Sequence, residues 1–570
     1  MFCRAFALTL LILSSYTCMV TAQESIAAKK LDAALAAYDA KEWDTASALL
    51  QEMTAENPGN GRFWYLLGTA EYNRKNYRAA IEPYQRAVAV GYNVGTSHYN
   101  RACCLALLGE PEAAIDAIDL AIRNGLRNRE DLIREDADLA SIRDTPAFRA
   151  RILPVATPTL SREDGWRMDL AYLTSRVAQT HFDPFRFISR EEWDREVARI
   201  SAALPKMKDH EVVVAIMQLV VRVNDGHTVV AGPRAGRYEF HALPVRFYEF
   251  EDGLFVRAAH RDYAAIVGQR LVRVGKMPAR EALDLVASTV QRDNTQQIRW
   301  LAPGYLTRVE VLDALGIVEG LGPVDITVAD ARGKETQVTV KPVSLAEVGR
   351  HSETPRGWVD MNGGASATTP LWLRDPARFF LLEYLEDSGI VYAGFRAVLD
   401  DSAETLDQFA ARAVALAESR SARALVIDVR TNNGGNNFLA RGFVERIQAS
   451  TTLNDTGRLF VIVGRETFSA CQNFCNWLDQ RTDAVFVGEP TGSRPNFVGE
   501  GNLIRLPYSD LVVNASSRYW QDSVSEDQRH WIAPELAAAM TSDDYRSNHD
   551  PALAAIIEYL NGRAQAAATR

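Results

Sequence analysis

Small and bulky apolar residues recur at a fixed interval through the first quarter of the chain. Ala46, Ala80 and Ala114 stand 34 residues apart, Leu50, Tyr84 and Ile118 keep that interval, and so do Ala87 and Ala121. Within each period the spacing is helical, and Asn57-Pro58 supplies a stop between one helix and the next. Small residues at fixed positions let two antiparallel helices approach, while bulky ones fill the gap to the neighbouring pair. Three such helix pairs are expected over about 25–127. Asp136 to Arg149 reads as a helix closing the array. A helical period continues from Arg162 to about Val230, carried by Leu170, Leu173, Val177 and the run Val212–Val223. Short β-like runs then alternate with turns at Leu243–Phe247, Leu254–Ala258, Arg270–Val274 and Val324–Ala329. Gly363 to Thr369 reads as a flexible connector. The last 180 residues alternate apolar strands with amphipathic helices: Ile390–Phe395, Leu406–Ser419, Ala424–Val429, Phe443–Ile447 and Leu459–Val463. That alternation implies a mostly parallel sheet covered by helices.

At 570 residues, 47% hydrophobic and 24% charged, the chain suits three or four globular domains. Its net charge of −10 argues against nucleic-acid binding over a broad basic face. The first 22 residues differ in character: Arg4 is the only charge, an apolar run spans Ala5–Leu13, and Val20-Thr21-Ala22 offers small residues for cleavage. This run is shorter than the roughly 20 residues a membrane span needs. A cleaved export signal is expected rather than an N-terminal anchor, leaving a periplasmic or secreted protein with no stable membrane insertion. Of six cysteines, Cys3 and Cys18 leave with that segment, while the pairs Cys103/Cys104 and Cys471/Cys475 suit neither an easy local disulfide nor a zinc ligand set. Burial is their expected fate. No metal or organic cofactor is implied.

Trp64, Leu67, Gly68 and Tyr72, together with the 34-residue period, resemble a tetratricopeptide repeat array. The alternative is a helical bundle with fortuitous alanines. Arrays of this kind present a concave surface to a peptide or protein partner, which the sequence does not identify. Gly268 to Pro278 (GQRLVRVGKMP) resembles the strand and turn of a PDZ module, with an ordinary β-rich insert as the alternative.

Two strand exits in the last region carry chemistry. Val426–Arg430 runs into Thr431-Asn432-Asn433-Gly434-Gly435, and paired glycines leave backbone N–H groups uncovered toward a ligand oxygen. Leu459–Val463 runs through a short turn to Ser469, which precedes a helical stretch Cys471–Leu478. Alone, a serine there is an N-cap. His227 alone, after Asp225-Gly226, is a turn or surface histidine.

The segments Asn224-Asp225-Gly226-His227-Thr228, Asp428 to Gly435, Thr467-Phe468-Ser469-Ala470 and Gly488-Glu489-Pro490-Thr491-Gly492 occur in that order. Asp527 to Glu535 (DQRHWIAPE) and Asp550-Pro551-Ala552-Leu553 follow. The ordered set, over roughly 160–560, resembles the S41 family of serine peptidases, which includes tail-specific and tricorn-type proteases. The resemblance implies a ClpP/crotonase-like α/β core and assigns Ser469 as nucleophile. The tail-specific branch takes its base from a lysine about 25 positions later; this chain has Arg494 there, and arginine does not deprotonate in proteins. The tricorn-type branch takes a histidine, matching His227, with an acid to orient it that matches Asp527; Glu526 and Asp522 are fallbacks. The oxyanion hole would be the N–H of Gly435, with Gly434 a further candidate, together with that of Ala470. Arg494 is either a contact for a substrate carboxylate or a solvated surface arginine.

The expected organisation is therefore a signal peptide (1–22), a tetratricopeptide-like array (23–127), a capping helix and linker (128–158) and a helical start of the peptidase-like region (159–235). A β-rich, PDZ-like insert (236–345), a linker (346–370) and a ClpP/crotonase-like core (371–570) follow. The expected activity is peptide-bond hydrolysis through a Ser–His–Asp acyl-enzyme mechanism, with polypeptide as substrate. Two alternatives remain: a binding protein that has lost turnover, or a repeat scaffold carrying a vestigial enzyme.

Overall fold

The structure is a computed structural model and describes residues 28–126, 130–152, 159–230, 232–349, 355–364, 366 and 368–568. The expected export signal, residues 1–22, lies outside them. The chain divides into two compact units: residues up to Ser161 with 171–180, and residues 162–170 with His181–Arg570.

The first unit is helical. Helix α1 (28–39) is followed by α2 (Trp43–Glu56), α3 (Gly61–Asn73), α4 (Tyr77–Ala89), α5 (Val94–Leu107) and α6 (Pro111–Arg123). The boundaries follow from local chemistry. Helix α2 ends just before Asn57-Pro58, and the Asn60 side chain accepts the N–H groups of Arg62 and Phe63 to start α3. Pro111 sits in the first turn of α6, where its missing N–H costs nothing. The periodic alanines Ala46, Ala80 and Ala114 are fully buried, as are Ala87 and Ala121. Gly68 shows why small residues are required: a Cβ there would lie 2.8 Å from the Tyr84 ring, which fills the space between α3 and α4. The closing segment departs from the expected single helix. It is a chain of short pieces, α7 (Glu130–Glu135), a 3₁₀ turn at Ala137–Leu139, α8 (Ala140–Arg143) and α9 (Pro146–Arg151). Pro146 is the reason: it ends α8, and Thr145 accepts the Phe148 N–H to restart the helix.

The second unit begins with the first half of α10 (Arg162–Thr180), then α11 (Arg190–Ala203) and α12 (Asp209–Val220). A short strand β1 (Val229–Val230) follows the Asp225-Gly226-His227 loop. The insert is an antiparallel sheet of β2 (Val245–Phe250), β3 (Gly253–His260), β4 (Arg270–Val274), β5 (Val324–Ala329), β6 (Glu335–Val340) and β7 (Trp358–Asp360). Strand β7 pairs with β3, so the stretch expected as a linker contributes to this sheet. Ala365 and Ala367 of the expected connector lie outside the described residues. The insert also holds three helices not expected from its periodicity: α13 (Ala279–Val286), α14 (Thr295–Tyr305) and α15 (Val309–Ala314).

The core sheet comprises β8 (Phe380–Leu385), β9 (Ile390–Phe395), β10 (Ala424–Asp428), β11 (Leu459–Val463), β12 (Val485–Gly488) and, beyond the hairpin β13 (Asn496–Arg505) and β14 (Val512–Gln521), the short β15 (Leu536–Ala537). Its order is β8-β9-β10-β11-β12-β15, parallel except for β8. Strands β9, β10 and β11 are buried at every position, which is why they read as apolar runs, broken in β10 only by Asp428 at its end. Helices α16 (Leu406–Ser419), α17 (Arg441–Ala449) and α18 (Ala470–Arg481) supply Phe409, Phe443 and Phe474 to one face. After the short α19 (Ser542–Arg546), α20 (Pro551–Ala568) brings Ala552, Ile556 and Leu560 to the other. Strand β14 pairs with both β13 and β1, which fixes the loop before β1 against the hairpin.

One buried ionic network ties the end of β10 to α20. Arg430 donates both Nη groups to Asp550 at 2.9 Å and its Nε to Asp428 at 3.0 and 3.1 Å; Tyr392 donates its hydroxyl to Asp428 at 2.6 Å. Asp550 in turn accepts the first N–H groups of α20 at Ala552 and Leu553. Arg430→Ala leaves two buried carboxylates without their cation and is expected to cost about 3–5 kcal/mol, read from the urea midpoint. Arg458→Ala, at a half-exposed pair with Asp455, should cost at most about 1 kcal/mol.

Candidate active site

Ser469 stands between β11 and α18, at the end of a turn pinned from several sides. The Thr467 hydroxyl donates to the Val429 carbonyl (2.9 Å) and accepts the Gly464 N–H (3.0 Å), and the Phe468 N–H donates to the Asn432 carbonyl (3.1 Å). These bonds hold the turn to the exit of β10. Ser469 itself has φ +56° and ψ −126°, a conformation costly for a residue with a Cβ. Its side chain does not cap α18. The hydroxyl lies instead 3.0 Å from His227 Nε2. The N-cap reading of this serine is therefore not what the geometry shows.

His227 is held by its loop and by two rings. Asp225 Oδ1 accepts the N–H groups of His227 (2.8 Å) and Thr228 (2.7 Å) and the Ser516 hydroxyl (2.8 Å). Asp225 Oδ2 lies 2.7 Å from His181 Nε2, and His181 Nδ1 accepts the Asp183 N–H. With Nδ1 accepting, the His181 proton sits on Nε2 and is donated to Asp225. Burial pushes the Asp225 carboxyl up, but the hydrogen bonds from His181, Thr228 and Ser516 outweigh it and hold the group below its usual value. The His227 ring lies nearly parallel to Phe468 and Phe497, with centroids 4.5 and 5.5 Å away. Asn514 donates to its backbone carbonyl at 2.7 Å. Burial pushes the imidazole below its ordinary pKa, opposed by the Asp225 charge, the Val498 carbonyl and the Glu500 carboxylate. Near neutral pH the ring is therefore uncharged, the form able to accept a proton.

Asp527 is not brought to the imidazole. Its carboxylate accepts the Ser523 hydroxyl (2.7 Å) and both the backbone and side-chain N–H groups of Arg529. Against the upward push of burial, these contacts hold it down to about 2. The fallbacks are also elsewhere: Asp522 accepts the Trp477 indole N–H at 3.2 Å, and Glu526 is exposed. His227 Nδ1 has no hydrogen-bond partner within ordinary geometry among the described residues. The expected Ser–His–Asp relay thus has its first two members in contact and its third committed to a neighbouring arginine.

Backbone donors near Ser469 differ in availability. The Gly434 N–H donates to Asn432 Oδ1 at 3.0 Å, and its carbonyl accepts the Val398 N–H, so this residue is occupied on both sides. The N–H groups of Gly435 and Ala470 have no protein hydrogen bond among the described residues. Both glycines are sterically required. At φ +106°, a Cβ on Gly434 would lie 2.7 Å from Ser469 Cβ; at φ +145°, one on Gly435 would lie 2.4 Å from the Val398 carbonyl oxygen. Arg494 uses its Nε to donate to the Asp293 carbonyl at 2.8 Å. Asp293, Ser493 and His181 border the site without belonging to any of the sequence motifs. Beside Asp293, Asn294 starts α14, its side chain accepting the N–H groups of Gln296 and Gln297.

Comparison with known proteins matches two parts of the chain. The tetratricopeptide repeat family model matches residues 31–94 and 76–125, where the helix pairs lie. No curated protein matches the sequence. Among solved structures, a CPAF variant aligns over 70% of this chain and 96% of its own, at 14% identity and a TM-score of 0.50, a likeness of fold. The photosystem II D1 C-terminal processing protease aligns over 66% of this chain and 93% of its own, at 12% identity and TM-score 0.33. The tricorn protease aligns over 70% of this chain and 37% of its own, at 13% identity and TM-score 0.33.

A methyl group added at Gly434 must displace Ser469. Gly434→Ala is expected to destabilise the fold by about 1–3 kcal/mol, read from the urea midpoint, because its Cβ meets Ser469 at a positive φ.

Proposed function

We propose that this chain is a serine peptidase that cleaves polypeptides through an acyl-enzyme on Ser469, with His227 as base. The observation that carries this reading is the 3.0 Å contact between His227 Nε2 and the hydroxyl of a serine in a strained turn. A serine hydroxyl is a poor nucleophile until a base takes its proton. Here Nε2 takes the proton as Oγ bonds to the substrate carbonyl carbon, and the carbonyl π electrons move to oxygen. The negative oxygen is received by the unoccupied N–H groups of Gly435 and Ala470. Collapse of the tetrahedral adduct expels the amine, which leaves with the proton held on His227. A water then repeats the sequence in reverse and frees the acid product.

The orientation of His227 is supplied differently from a relay through Asp527. The Asp225-centred turn fixes the backbone on either side of the ring, and Phe468 and Phe497 confine its plane. The Val498 carbonyl lies against the ring as well. The task of an orienting carboxylate, choosing one ring position and one tautomer, is thereby spread over packing and backbone.

The tetratricopeptide array is proposed to bind a polypeptide or protein partner. Export follows from the N-terminal sequence alone; among the described residues, no helix is long and apolar enough to cross a membrane.

Ser469→Ala should abolish fluorophosphonate labelling and cleavage of a mixed peptide library. His227→Gln should lower both by about 10²–10⁴, the usual contribution of a general base. Wild-type levels of cleavage in Ser469→Ala would refute the assignment. N-terminal sequencing of exported protein should begin at Gln23; a chain retaining Met1 would refute signal cleavage.

A further inference from the structure

The proposed reaction makes no use of Asp293, a carboxyl that reaches both the His227 loop and the Ser469 turn. Asp293, from the loop before α14, is buried to 4% exposure. Its Oδ1 accepts the Gly226 N–H at 2.8 Å, next to His227, and its Oδ2 accepts the Ser493 hydroxyl at 2.9 Å. Ser493 Oγ in turn accepts the N–H of Ser469 itself at 3.3 Å. The backbone of Asp293 is fixed as well: its N–H donates to Gln297 Oε1 (2.8 Å), its carbonyl accepts Arg494 Nε (2.8 Å), and Gln297 Nε2 donates to the Gly226 carbonyl (3.0 Å).

Resting on the Ser469–His227 reading, we propose that ionised Asp293 is a positioning residue that sets the distance between nucleophile and base, clamping the His227 loop through Gly226 and the Ser469 turn through Ser493.

The hydrogen-bond inventory makes the clamp depend on charge. As a carboxylate, both oxygens accept, which suits the donors facing them. A proton on Oδ1 would point at the Gly226 N–H. A proton on Oδ2 would be donated to Ser493 Oγ, which already accepts from Ser469 and would have to turn its own hydrogen away from Asp293. Ser493 is fully buried, so that hydrogen loses its acceptor at a cost. Protonation therefore loosens one arm of the clamp. Several charged or titratable groups face this carboxyl: Asp225 with its partner His181 across the Gly226 loop, His227 beyond Gly226, and Arg494 from the segment before β13. Burial and the Asp225 charge push Asp293 up to about 7, against the pull of Gly226, Ser493 and Arg494. Asp293 contributes a second acid limb near neutral pH, above the one from His227, whose pKa burial lowers from 6.5.

The sign for stability runs opposite to activity. A carboxyl with a raised pKa in the folded state binds its proton more tightly folded than unfolded, so stability falls as pH rises from its unfolded value through about 7. Above that pH the enzyme holds an ionised group that favours reaction and disfavours the fold.

The test is the rate of fluorophosphonate labelling of the full chain from pH 5.5 to 9, with Tm measured at pH 8. Wild type should show a limb near pH 7. Asp293→Asn should lose that limb, label at least about tenfold more slowly at pH 8, and melt no lower than wild type. Ser493→Ala, which spares the Asp293–Gly226 bond, should also slow labelling. An Asp293→Asn protein with the wild-type rate and pH profile would overturn the proposal. So would one whose lost labelling is matched by a lower Tm at pH 8, since that marks a structural role only. Equal labelling of Ser469→Ala and wild type would instead refute the nucleophile assignment, and this inference with it.

Discussion

A single hydrogen bond spanning 242 positions of sequence, from His227 Nε2 to Ser469 Oγ, organises the second unit of this protein. Neither end could hold it alone. The serine needs the turn between β11 and α18 fixed in a conformation that an isolated peptide would leave. The imidazole needs a loop that keeps it uncharged and aimed. Each requirement is met by burying hydrogen-bonded polar groups around the two residues, which needs a large, well-packed core. The parallel sheet supplies that core, and its strand ends bring the glycine pair and the serine turn side by side.

The supporting groups are arranged in pairs that act on backbone. Asp225 holds the chain on both sides of the histidine, while Thr467 and Asn432 hold the chain before the serine. Arg430 anchors the strand that leads to the glycines by neutralising Asp428 and Asp550 together. Strain at Ser469 is thus opposed by neighbours that could relax only by breaking several bonds at once.

Much of this was legible in the sequence, and the parts that were not share a cause. The helix pairs were readable because Ala46, Ala80 and Ala114 meet the same steric demand three times. The buried strands were readable because coverage on both faces leaves few polar positions, Asp428 at the end of β10 being one. The meeting of Ser469 and His227 was legible because their motifs are local and occur in order. Asp527 was placed by position along the chain, but its side chain is taken by Arg529 two residues later, a competition that spacing does not reveal. Asp293 left no trace because its contacts join segments around Gly226, Ser493 and Arg494 that meet only after folding. The closing segment 136–149 is less legible because its helical period runs across Pro146, which in the structure starts a new helix.

The most direct measurement of the central claim is a crystal structure of the chain inactivated with a fluorophosphonate. The account predicts phosphorus bonded to Ser469 Oγ, a phosphoryl oxygen within hydrogen-bond distance of the Gly435 and Ala470 N–H groups, and the His227 ring still lodged between Phe468 and Phe497. Phosphorus on another side chain, or an adduct at Ser469 with His227 swung away and its place taken by a different base, would contradict it.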